Sequence, residues 1–182
     1  MVYAGHAASL GEILQHQGNE PNLFYTVSAI QPAAFPSKIG TPWKPTIRDF
    51  AYTDYLAFDI DGILPIQDLA DVEQACETLA PPLGIFQSTE ERHYIASGHG
   101  LHWLIRIPRQ SAGEFFTNFA ARYRLACHQL TVALLAAKIE HKQVDPTIFE
   151  ASRLLRVPGS INRKDGKEPV PCRLIESLGA KL

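Results

Sequence analysis

Between residues 111 and 140 the apolar side chains Phe116, Phe119, Tyr123, Ala126, Leu130, Leu134 and Ala137 recur at steps of three and four. That spacing is one face of a long amphipathic helix, and its aromatic stripe reads as core packing rather than as a ligand surface. The flanking segments have a different character. Residues 23–30 (LFYTVSAI) are β-branched and aromatic, as in a strand, and 31–45 hold four prolines and form an irregular loop. Residues 54–60 (DYLAFDI) make a second strand, closed by Asp61-Gly62. A helix is expected over 68–79, stopped by Pro81-Pro82. Short extended pieces follow at 85–88 and 93–96. A turn at 97–100 (SGHG) then leads into a strand at 101–107, which makes a hairpin with glycines at its tip. Beyond the long helix come Val144-Asp145-Pro146, a basic segment through Lys167 and a last strand near 171–175. Strands and helices alternate without a regular βαβ rhythm, so the expected class is α+β, a two-layer sandwich rather than a doubly wound sheet.

A chain of 182 residues is the length of one domain, and residues 1–182 are read as one. No apolar run approaches the roughly 20 residues of a membrane span, and the first residues lack a secretory pattern. Cys76, Cys127 and Cys172 are odd in number, scattered and without a C-x-x-C pair, which disfavours both a disulfide framework and a zinc knuckle. Reduced, mostly buried thiols in a cytoplasmic protein are the expectation.

The net charge of −2 conceals a gradient. Residues 1–80 carry 3 Lys/Arg against 10 Asp/Glu, whereas 151–182 carry 7 against 3. Folding can set these segments face to face. A site that takes metal ions and phosphates together needs that pairing, carboxylates for the cations and Arg/Lys for the phosphates.

Three segments carry candidate chemistry. Asp59 and Asp61 stand two apart in a strand, hence on one face, about 6.5–7 Å apart along the chain. Two carboxylates so placed can share cations held about 3.5–4 Å apart. The same AFDIDGIL stretch resembles the first motif of dehalogenase-type phosphatases. That family usually begins near this motif and needs a late G-D-x-x-x-D acidic pair, and this chain has neither property. In SGHGLHW, residues 97–103, glycines let backbone N–H groups approach an anion, and His102 can donate to a phosphate oxygen. Zinc ligation by His99 and His102 is disfavoured, because an i,i+3 spacing suits helices rather than turns. In residues 144–164, Asp145 precedes Pro146. Arg153 and Arg156, then Asn162, Arg163 and Lys164, offer planar guanidinium grips and a point charge suited to a triphosphate.

In this order the three segments resemble the catalytic core of the archaeo-eukaryotic primase superfamily, particularly primase-polymerases of plasmids and phages, over residues 23–175. The first motif of that family, two acids one residue apart, falls on Asp59 and Asp61. The second, a histidine after a small residue and a spacer, falls on Gly100-Leu101-His102. The third, an apolar residue and an acid, falls on Val144-Asp145. Several members carry Ser where Gly100 stands, which leaves Ser97 or the backbone of the turn to contact the triphosphate.

The resemblance implies an RRM-like sheet joined to a small N-terminal αβ unit. It also implies template-directed nucleotidyl transfer from (d)NTPs on single-stranded DNA, for primer synthesis or extension. Asp59, Asp61 and Asp145 would hold two Mg²⁺ or Mn²⁺ ions, with no zinc. Ser97, Gly100, His102, Arg153, Arg156 and Lys164 would hold the nucleotide; apart from the resemblance, the basic segment itself suggests that Arg163, with Asn162, tracks template backbone. A helicase or an accessory priming domain is an expected partner, with the chain alone or as a piece of a larger replication protein. A dehalogenase-type phosphatase and a non-catalytic nucleotide- or single-strand-binding module are the alternatives.

Overall fold

The computed structural model describes residues 12–13, 15, 18, 21–22, 24–31, 46–62, 69–77, 91–148, 153–164 and 166–178. The loop expected at 31–45 (beyond Gln31), the Pro81-Pro82 helix stop, the strand at 85–88 and most of the N-terminal αβ unit lie outside these residues.

The chain is mixed α+β, built on a mostly antiparallel sheet. Its strands are β1 (Phe24–Thr26), β2 (Ser28–Ile30), β3 (Phe50–Asp61), β4 (Arg92–Ala96), β5 (Gly100–Ser111), β6 (Gln143–Val144), β7 (Leu154–Arg156), β8 (Ile161–Asn162), β9 (Val170–Pro171) and β10 (Arg173–Leu178). Among the described residues the longer helices are α1 (Leu69–Glu77) and α2 (Ala112–Ala136). The main sheet runs β10-β4-β5-β3-β2, with β6 also paired to β3; β1 pairs β7 and β8 pairs β9 apart from it.

The single strand expected over 23–30 divides because its halves find different partners. Phe24–Thr26 pairs with β7, and Ser28–Ile30 pairs with β3. The second strand is longer than expected, since β3 runs on at both ends against β5. The long helix stops at Ala136 rather than near 140. Lys138 adopts a left-handed φ of 60°, and Ile139 N–H closes back on the Leu134 carbonyl, an ending that no glycine announces.

Period-two alternation gives β3 and β5 two distinct faces. Leu56, Phe58 and Ile60 pair with Ile105, Trp103 and Leu101 on the face that meets α2, and all six are at most 2% exposed. An aromatic column ties this layer together: Tyr123 of α2 stacks on Phe58 at 5.1 Å, Phe58 on Trp103 at 5.2 Å and Trp103 on Tyr94 at 6.4 Å. Of the expected helix stripe, Phe119, Tyr123, Ala126, Leu130 and Leu134 are buried, while Ala137 is exposed at the helix end. Cys127 and Cys172 are free and buried, and burial pushes both thiols up to about 12. Among the described residues no helix is long and apolar enough to cross a membrane.

Candidate functional site

The opposite face of β3 and β5 turns polar at one end. Asp59 pairs with His102 and Asp61 with Gly100. Asp145 arrives just after β6, where its N–H donates to the Asp59 carbonyl at 2.9 Å. Asp145, distant in sequence, is thereby anchored to the strand end that carries Asp59 and Asp61. The three acids do not converge fully: among the described residues no three His, Cys, Asp or Glu side chains are grouped closely enough to hold an ion together.

The carboxylates are unequal. Asp59 is pushed from 3.8 up to about 7, first by burial and then by the charges of Asp61 and Asp145; Arg153 and Lys164 only partly offset this. Its Oδ1 is buried without a hydrogen-bond partner. Asp145 moves the other way. Burial raises it, but the hydroxyl and N–H of Thr147 at 2.7 and 2.8 Å, with Arg153 Nη2 at 2.8 Å, outweigh burial and hold it below the ordinary carboxylate range. Asp61 accepts a long bond from Gln143 Nε2 at 3.4 Å.

His102 is 4% exposed, and burial together with nearby Arg156 lowers it to about 3. It is therefore a neutral imidazole. Its Nε2 lies 3.7 Å from Asp59 Oδ1, too far for a hydrogen bond, and its Nδ1 has no partner. Around the neighbouring turn stand cations. His99 titrates below its usual value through burial and then through Lys167, Lys164 and Arg156.

Gly100 is explained by packing. A Cβ there would sit 2.4 Å from the Ile60 carbonyl oxygen, so the β5–β3 approach itself requires glycine. Gly98 has a φ of +95° and lies under Asn162. Ser97 is buried, with its N–H on the Gly100 carbonyl and its own carbonyl accepting Asn162 Nδ2 at 2.8 Å. Asn162 is thus an interior bracket of the turn, 4% exposed. Arg163 and Lys164 are exposed.

Arg156 is held over the Phe24 ring at 4.7 Å and donates to Asn22 Oδ1 at 2.7 Å. Asn22, Phe24 and Lys167 escaped the sequence reading. The Arg156–Asn22 bond spans 134 residues and leaves no local signature. Thr147 had one: an acid whose side chain caps the N–H two residues on is the Asx-turn pattern of Asp145-Pro146-Thr147.

Comparison with protein-family models, curated proteins and solved structures returns no match.

Proposed function

We propose that the chain is the catalytic domain of a primase-polymerase, joining (d)NTPs on a single-stranded DNA template. The observation that carries this reading is the excess of negative charge at the end of β3. Asp59 is raised to about 7 beside Asp61 and Asp145, next to a glycine turn ringed by Arg156, Lys164 and Lys167. A buried carboxylate raised further by two neighbouring acids suits a divalent cation, and the orphaned Asp59 Oδ1 is a free ligand atom for one. The order of elements agrees: β3-α1-β4-β5-α2-β6, with β3 between β5 and β6, is the strand–helix–strand–strand–helix–strand pattern of an RRM-like sheet.

Asp59, Asp61 and Asp145 would hold Mg²⁺ or Mn²⁺. Bound there, the cations would lower the pKa of a primer 3′-hydroxyl and neutralise the departing pyrophosphate. His102, kept neutral, can donate to a phosphate oxygen through the ring nitrogen that carries its proton. Arg156 meets phosphate from a fixed position on Phe24 and Asn22, while Lys164 supplies a mobile charge. Arg153 neutralises Asp145 in this structure and becomes available to a triphosphate when that carboxylate has another partner. Exposed Arg163 would meet template phosphate, so binding should be salt-sensitive and tolerant of sequence.

The test is incubation with single-stranded DNA, labelled nucleotides and Mn²⁺ or Mg²⁺, with and without an annealed primer. Products that vanish in the Asp59→Ala/Asp61→Ala variant support the reading, and unprimed products identify initiation. Absence of metal-dependent nucleotide binding overturns it. Release of phosphate from a phosphomonoester without template would favour the phosphatase alternative.

A further inference from the structure

The carbonyls on the side of β3 away from β5 are each taken up by a different donor. Residues 50–53 pair with β2. Beyond them, the Tyr55 carbonyl accepts Thr53 Oγ1 at 2.9 Å, the Asp59 carbonyl accepts Asp145 N–H at 2.9 Å and the Asp61 carbonyl accepts Lys142 N–H at 2.7 Å. That leaves Ala57, in the gap between β2 and β6. The chain of β6 cannot fill the gap, because Pro146 has no N–H and Thr147 N–H is spent on Asp145 Oδ1 at 2.8 Å. Tyr123 of α2 fills it instead, its hydroxyl donating to the Ala57 carbonyl at 2.8 Å. The same oxygen lies 3.5 Å from the Asp145 carbonyl, which Cys127 Sγ also approaches at 3.8 Å. Tyr123 is wholly buried, with its ring fixed on Phe58.

We infer that Tyr123 is a positioning residue of the acid cluster: its phenol replaces the missing rung of the β3–β6 ladder and sets where Asp59 and Asp145 stand relative to each other. This rests on the proposed metal-binding role of those acids. The hydroxyl joins the helix to the two backbone segments that carry them, two residues before Asp59 and at Asp145 itself. Without it, the Asp145 strand end is tied to β3 on one side only. Slippage at a strand end displaces every side chain on it, and a carboxylate moved by a fraction of an ångström is a poorer ligand.

Tyr123→Phe keeps the stacked ring and removes only the hydroxyl. Leu130→Val, two turns along the same buried face, is the control for loss of helix packing. Mn²⁺ binding to the full chain is measured by calorimetry well below every melting temperature, with exchange of the Asp145 amide followed alongside. The expected result is a Mn²⁺ dissociation constant raised about tenfold in Tyr123→Phe, faster Asp145 exchange, and neither change in Leu130→Val. Wild-type affinity in Tyr123→Phe, or equal weakening in Leu130→Val, overturns the positioning role alone. Failure of the wild-type chain to bind Mn²⁺ overturns the metal-binding reading and this inference with it.

Discussion

One face of β3 and β5 carries two clusters of charge about 13 Å apart, and they are built on opposite principles. At one end, Glu91 is surrounded by donors: Tyr55 hydroxyl at 3.0 Å, His93 Nε2 at 2.9 Å and Arg106 Nη1 at 2.8 Å. Burial raises it, yet those bonds together hold it below the ordinary carboxylate range. Beside it, Arg109 grips Asp54 through two nitrogens while lying over the Tyr52 ring. At the other end, burial first and then the charges of Asp61 and Asp145 push Asp59 up to about 7. The same strands thus hold a carboxylate that the fold has satisfied and one that it has left unsatisfied. The second arrangement is met either by keeping a proton on Asp59 or by a cation from outside, and such shifts gather at functional sites.

The sharpest way to break the contrast is at Asp59. If the proposed template-directed nucleotidyl transfer holds, Asp59→Asn should lower it about a thousandfold while raising the melting temperature in metal-free buffer at neutral pH, because a repelled charge has gone. A parallel fall in stability would place Asp59 with Glu91 as a structural acid. Next in size, Glu91→Gln should cost about 2 kcal/mol in urea unfolding and leave Mn²⁺ affinity at the far end unchanged. If the affinity falls, the clusters are coupled through the sheet.

Smaller again is the dependence on pH. Between pH 4 and 7 the folded chain keeps a proton on Asp59 that the unfolded chain has released, since the group moves from 3.8 to about 7. Its contribution to stability is therefore full at low pH and is lost as pH rises, by at most about 1.4 kcal/mol per unit. Mg²⁺ or Mn²⁺ should flatten or reverse that fall in a series of thermal melts, and an unaltered slope would count against the cluster as a cation site.

The parts legible in the sequence were those with a local period. Alternation placed Asp59 and Asp61 together at a strand end, three- and four-residue steps gave the body of α2, and glycines gave the 97–100 turn. What escaped depends on pairing across the chain. Strand β6 is two residues long and exists only because β3 offers it an edge. Strand β7 lies more than 120 residues from its partner β1. Glu91 drew no notice because its donors come from three strand segments. Tyr123 was visible as one more aromatic of the buried stripe; periodicity records that a side chain faces inward and says nothing of where its hydroxyl ends.

Position 100 has a consequence for mutational access. Where the proposed primase likeness would put a serine, this chain has a glycine with no space beyond it, since any Cβ would press into the Ile60 carbonyl. The hydroxyl cannot be gained by one substitution. The backbones of β3 and β5 would have to part first, and that shift would carry Asp59 and Asp61 away from their present positions. Variation at this corner is thus confined to an order of events in which the sheet changes before the side chain does, and a library that samples position 100 alone should return only glycine.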